Sequence, residues 1–126
     1  MIKCMFLLRR KPGLGREEFA DYWARVHSHL ALKHAEAMGI VRYVQCHAVD
    51  HAMVGGFAAS HGAQVGDFDG MAEVWWDSFE AMAAAAGSMP HEVAAAILAD
   101  ESCFVDTERS IIWFAEEKPF WPIGAG

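Results

Sequence analysis

The chain has 126 residues, with ten Lys or Arg against seventeen Asp or Glu and a formal net charge of -7 at pH 7. With 54% hydrophobic and 21% charged residues it lies far from the composition of disordered chains, and its length suits one core, so a single domain over residues 1–126 is expected. The acidic balance opposes phosphate backbones and the basic run Arg9-Arg10-Lys11 is too short to form a binding face, so no nucleic-acid partner is expected.

The three cysteines, Cys4, Cys46 and Cys103, are odd in number, far apart and in no CxxC spacing, which points to free thiols in a reducing compartment. The opening apolar run carries Lys3 and its positive charges follow it. It is too short to cross a membrane and has the wrong polarity for a signal peptide. A cytoplasmic protein with no membrane partner is the expectation.

Ile2 to Leu8, stopped by charges and Pro12-Gly13, reads as the first strand. A helix follows from about Arg16 to Met38, with Gly15 as N-cap, Glu17 and Glu18 in the first turn and Gly39 as its stop. At about 100° per residue, Phe19, Trp23, Val26, Leu30 and Ala37 fall on one side, with His27 and His34 at its edge. Tyr22, His29 and Lys33 form the other edge. Ile40 to Val49 is rich in β-formers and alternates, with Val41, Tyr43, Gln45 and His47 sharing a face.

Asp50 to Asp69 contains several glycines and two histidines and reads as a long loop, a candidate mobile gate. Gly70 to Trp76 is the third strand, with Met71, Glu73 and Trp75 opposing Ala72, Val74 and Trp76. Ser78 caps a helix from Phe79 to Ala86, and Pro90 restarts one from His91 to about Asp100. Arg109 to Ala115 is the fourth strand. Residues 117–126, which include Phe120, Trp121 and Ile123, form an apolar arm that needs cover from this subunit or a partner. The order β-α-β-β-α-β fits an α+β, ferredoxin-like βαββαβ sandwich with an antiparallel four-stranded sheet, whose open face a second copy of the chain would cover.

The sequence also resembles the EthD family of dimeric α/β-barrel proteins along nearly its whole length. The blocks that carry the likeness are Arg10-Lys11-Pro12-Gly13-Leu14, then Glu17-Glu18-Phe19-x-x-Tyr22-Trp23-x-x-x-His27. Further matches are Arg42-Tyr43-Val44-Gln45-x-His47, Asp69-Gly70-x-Ala72-Glu73-x-Trp75 and Asp100-Glu101-x-x-Phe104-Val105-Asp106. The resemblance implies a homodimer paired sheet to sheet. It also implies a setting like that of the gene clusters for ethyl tert-butyl ether degradation, where a cytochrome P450 performs the oxidation, or of relatives that dehydrate or decarboxylate polyketides. The segment between His47 and Asp69 is longer and richer in His and Gly than the family connection.

His27 follows Trp23 by one turn, so an indole walls one flank of its imidazole. A partly desolvated imidazole near a carboxylate is the group that acid-base chemistry near neutral pH uses; the plainer reading is a histidine satisfied by one hydrogen bond at the core's edge. Tyr43, Gln45 and His47 share a strand face, and if register brings Glu73 and Trp75 onto it, polar groups stand in an apolar wall, as in a small-molecule pocket. The plainer reading of Glu73 is a salt bridge to Arg42 or Arg109. The seven histidines show no metal-ligand spacing, and there is no Gly-x-Ser-x-Gly or phosphate loop.

The candidate site is therefore His27, Tyr22 and Glu73 as catalytic residues and Trp23, Tyr43, Gln45, His47 and Trp75 as substrate contacts, with no metal and no cofactor. The expected activity is cofactor-independent acid-base chemistry, a dehydration or isomerisation, on a small apolar or aromatic organic ligand. Two alternatives stand beside it: a non-catalytic carrier or accessory protein to a partner oxygenase, and a haem-binding or monooxygenase-type dimeric α/β barrel.

Overall fold

The computed structural model describes residues 1–124. Four strands, β1 (Ile2–Leu8), β2 (Arg42–His47), β3 (Gly70–Trp76) and β4 (Ile111–Ala115), form one sheet in the order β2-β3-β1-β4, and every neighbouring pair is antiparallel. The long helix comprises α1 (Arg16–Tyr22), a π-helical turn (Trp23–His27) and α2 (Ser28–His34). The second helical layer is α4 (Phe79–Ser88) and α5 (His91–Phe104), broken at Pro90 as the sequence predicts. This is the α+β, ferredoxin-like sandwich, an antiparallel sheet with its principal helices on one face. No helix among the described residues is long and apolar enough to cross a membrane.

Register divides the sheet cleanly. Cys4, Val74 and Tyr43 lie in line across three strands, as do Phe6, Ala72 and Gln45, and these residues face the helices. Met5, Glu73 and Val44 lie in line on the other face. The core under the helices is Leu8, Phe19, Trp23, Ala72, Phe104 and Val105. Large aromatic side chains from the long helix and α5 meet there, with Phe19 and Phe104 at 5.4 Å between ring centroids, where they contribute both buried area and favourable tilted contact.

Two glycines are required by this packing. Gly39 ends the turn after α2 at φ +71, a left-handed conformation that side chains with a Cβ adopt at a cost. A Cβ there would also stand 2.7 Å from Ala85 Cβ. At Gly70 a Cβ would stand 2.8 Å from Trp23 Cη2 and 3.1 Å from the Cys46 carbonyl oxygen, so the indole lies directly on the start of β3.

Three expectations are corrected and a fourth is narrowed. The long helix ends at His34 rather than Met38, because Ala35 to Gly39 close in turns, with Met38 N–H donating to His34 O at 3.0 Å and Ile40 N–H to Ala35 O at 3.2 Å. The segment from Asp50 to Asp69 is not all loop. It contains α3 (Ala52–Ser60), started by the His51 side chain, whose Nδ1 accepts from Met53 N–H at 3.0 Å. Val26 is 48% exposed and Ala37 is also exposed, so neither joins the core. The arm's Phe120, Trp121 and Ile123 are 84%, 82% and 87% exposed, so they do not pack on their own chain; the arm's last two residues lie outside the described ones.

Candidate functional site

The site begins with a local fault in the long helix. In the π-helical turn the Ser28 N–H reaches back five residues to Trp23 O instead of four to Ala24 O, which widens the turn by one residue. The freed Ala24 carbonyl accepts from Ser28 Oγ at 2.5 Å, and Trp23 O accepts a further bond from Gln45 Nε2 at 2.9 Å. Ser28 and Gln45 thus supply the polar partners that keep the turn open. The extra residue offsets the drift of a four-residue spacing around an α-helix, so Phe19, Trp23, His27 and Ala31 form one buried line. His27, predicted at the edge of the apolar face, is carried inward to 7% exposure.

There His27 meets a residue that periodicity did not single out. Asp100 on α5 binds the His27 ring through Oδ2 to Nδ1 at 2.7 Å and accepts from the Tyr22 hydroxyl at Oδ1, 2.5 Å. A carboxylate only accepts, so Nδ1 carries the proton in this bond and Nε2 is the nitrogen left for a ligand. The hydrogen bond to Asp100, then burial, hold the Tyr22 phenol well above its ordinary value, so Tyr22 is a donor at neutral pH. Phe104 packs 5.1 Å from both the His27 and Tyr22 rings, centroid to centroid, and restrains their orientation.

His27 lines a cavity of about 170 Å³ between sheet and helices. Trp23 and Tyr43 are also in its wall, with Cys4, Trp76 and Glu101. Burial raises the Tyr43 phenol. It also raises the Glu101 carboxyl, with the nearby His27 acting in the opposite sense and Asp100 adding to the rise. The wall carries no lysine or arginine. Such a space suits an uncharged, mostly apolar molecule of about one ring, since a dry cavity of about 150 Å³ takes benzene.

Gln45 and His47 form a buttress beside the cavity. Gln45 Nε2 also donates to Tyr43 Oη at 3.0 Å, and its Oε1 accepts from His47 Nε2 at 2.8 Å. The His47 ring lies 4.5 Å from the Trp23 ring, and burial lowers its basicity.

Glu73 and Trp75 are placed differently from the sequence-based expectation. Glu73 pairs with Val44 and Met5, and Trp75 with Arg42 and Lys3, so both stand on the open face, away from His27, Tyr43 and Gln45. Glu73 forms an ion pair with Lys3, not with Arg42 or Arg109, and accepts from Cys46 Sγ at 2.9 Å. The Cys46 bond and the Lys3 ion pair hold its carboxyl below the usual range. Trp75 donates to Glu117 beneath the Arg42 guanidinium, 4.6 Å from its ring. No group of three or more His, Cys, Asp or Glu side chains among the described residues is arranged to hold a metal ion.

Asp100 and Glu101 were visible in the sequence as a pair of acids, but the predicted end of the second helix at Asp100 made them terminal. The helix runs on to Phe104, and two adjacent carboxylates in a helix interior above aromatic side chains are the signal that could have found them.

Crystal structures with the same architecture include an EthD family protein from Bacillus halodurans C-125, with TM-score 0.62, 19% identity and coverage of 94% of this chain and 99% of that one. HapK from Hahella chejuensis aligns with TM-score 0.56, 12% identity and full coverage of both chains. An EthD-like protein from Ralstonia eutropha JMP134 gives TM-score 0.56, 19% identity and coverage of 91% and 89%. These likenesses establish the fold. No curated protein sequence matches the chain. The EthD domain matches residues 11–108, a span from the loop after β1 through α5 that contains the Tyr22, His27 and Asp100 cluster, and the chain belongs to the EthD domain family.

Proposed function

We propose that the protein binds a small, mostly apolar or aromatic organic molecule in the cavity beside His27 and moves protons on it without a cofactor, in a dehydration or isomerisation. The observation that carries this reading is the Tyr22–Asp100–His27 cluster, in which Asp100 holds the Tyr22 hydroxyl and the His27 Nδ1 from behind while the His27 ring itself lines the cavity. A carboxylate that orients an imidazole and fixes its tautomer leaves Nε2 able to accept and return a proton. The cavity's size disfavours the haem alternative, since a macrocycle exceeds the space of a single ring.

The protein acts as a homodimer in this reading, with open sheet faces together. Trp113 is 62% and Ile111 51% exposed on that face, and the exposed Phe120, Trp121 and Ile123 follow in the chain; large apolar side chains left uncovered together are what an interaction surface presents. Three free thiols suit a cytoplasmic location. Size-exclusion chromatography with light scattering at micromolar concentration gives a dimer, and a monomer there refutes the pairing.

The activity is tested with phenols, aromatic acids, lactones and ethers, screened by thermal shift and then by mass change. Conversion of a hit that disappears in His27→Ala supports acid-base catalysis, and conversion at the wild-type rate in that variant refutes it. Binding without conversion identifies a carrier that hands its ligand to a partner oxygenase.

A further inference from the structure

Glu101 is the one carboxylate on the cavity wall, and the acid-base cluster does not use it. It adjoins Asp100 on α5, and successive residues of a helix project about 100° apart. Asp100 therefore turns to Tyr22 and the His27 Nδ1, and both its oxygens are taken, while Glu101 enters the cavity. Among the described residues its side chain has no hydrogen-bond or ion-pair partner. The titratable groups around it are His27 on the long helix, Tyr43 on β2, Cys4 on β1 and Asp100 beside it, and the cavity wall offers no cation. An unpaired carboxyl facing an apolar space next to an oriented imidazole is equipped to meet a ligand's polar atom.

We propose that Glu101 is a second proton-transferring group of this cavity, acting with His27 on ligands whose polar end is an uncharged oxygen acceptor, such as a one-ring ketone with protons on the adjacent carbon. This rests on the acid-base reading of His27. His27 Nε2 takes a proton from the carbon beside the carbonyl, and the C–H electron pair forms the new C=C bond. The carbonyl π pair moves to oxygen, which takes the proton of the Glu101 carboxylic acid. The products are the enol, an imidazolium and a carboxylate, and the imidazolium proton then passes to Glu101 to restore both groups. Nothing is oxidised or reduced. Burial raises the Glu101 carboxyl, which favours the acid form this step consumes. Where Glu101 is ionised, an anionic ligand meets repulsion from it and from Asp100, with no lysine or arginine on the cavity wall to compensate.

The test uses the full chain with acetophenone in D2O, following loss of the methyl proton signal by NMR, and with acetophenone and benzoate binding read from tryptophan fluorescence. Wild type exchanges the methyl protons faster than buffer and binds acetophenone more tightly than benzoate. Glu101→Gln keeps acetophenone affinity within about twofold, loses about 100-fold or more of the exchange rate, the scale of one acid-base group, and at a pH above the Glu101 titration binds benzoate better than wild type does. Glu101→Asp, which retains the acid, restores part of the exchange. The wild-type rate falls as pH rises through the Glu101 titration, a limb absent from the Gln variant. If Glu101→Gln exchanges at the wild-type rate while His27→Asn does not, the role of Glu101 is overturned and that of His27 stands. If wild type binds acetophenone without exchange, the acid-base reading itself falls, and this inference with it.

Discussion

Replacing Asp100 tests whether the cluster at the cavity is a working network or two incidental contacts. Asp100→Asn keeps the shape, and an amide can still accept from His27 Nδ1 while donating to the Tyr22 oxygen. What it loses is the charge on both bonds, at 2.7 and 2.5 Å. Hydrogen bonds to charged groups contribute roughly 1.5–3 kcal/mol against about 0.5–1.5 for neutral ones, so two downgrades cost about 2 kcal/mol. Asp100→Ala leaves both donors without the carboxylate and costs about 3–4 kcal/mol, at the lower end for a broken buried pair because the Asp100 side chain is 17% exposed and water reaches it. Urea unfolding followed by tryptophan fluorescence measures both losses. A second readout separates this from general damage. In a Tyr43→Phe background the remaining phenol, Tyr22, is held above its ordinary value chiefly by the Asp100 bond, so it stays un-ionised at about pH 10, where Asp100→Ala ionises. A loss under about 1 kcal/mol in Asp100→Ala, with an unchanged phenol titration, refutes the network.

Three further outcomes follow from the same geometry. Gly70→Ala places a Cβ against the Trp23 ring and the Cys46 carbonyl and lowers stability by about 1–3 kcal/mol, as overpacking does, read from the urea midpoint. Glu73→Gln, on the open face, leaves affinity for a cavity ligand unchanged within about twofold, since cavity affinity follows the residues lining the space; a tenfold loss by the same fluorescence titration contradicts the register. Glu101→Gln changes how stability depends on pH. The folded state raises the Glu101 carboxyl above its unfolded value, so its favourable contribution is complete below the unfolded value and is lost as pH rises through the folded one. The variant lacks that loss, so its stability relative to wild type increases with pH over this window, and a flat or falling difference in urea midpoints between pH 4 and 8, spanning roughly the ordinary carboxyl value upward, refutes the burial argument.

Much of the sheet was legible in the sequence because strand alternation and turn chemistry are local. Gly70 to Trp76 was bounded correctly, and the face shared by Tyr43, Gln45 and His47 is the observed one. Register between strands is a tertiary property, which is why Glu73 and Trp75 joined the wrong set. The segment from Asp50 to Asp69 hid α3 because two glycines, Gly55 and Gly56, lie inside that helix and weaken its local signal. None of α3's residues is buried, so no apolar stripe marks its period either.

The candidate site shows the same division more sharply. A constant angle per residue placed His27 at the border of the helix, and a constant angle is what the π-helical turn breaks. Its partners were present as letters: Ser28, whose hydroxyl donates to the carbonyl that its own amide abandons, and Gln45, which donates from β2 to Trp23 O on the helix. Neither announces a π-turn alone, because each satisfies a backbone group only once the helix lies on β2. The inward rotation that brings His27 to Asp100 is therefore a product of tertiary packing, and the Tyr22-Trp23 to His27 spacing acquires its chemical meaning only with that turn in place. An ordinary α-helical turn there would reassign His27 to the edge predicted from periodicity, away from both the carboxylate and the cavity, so the fault in the helix is the element on which the proposed chemistry depends.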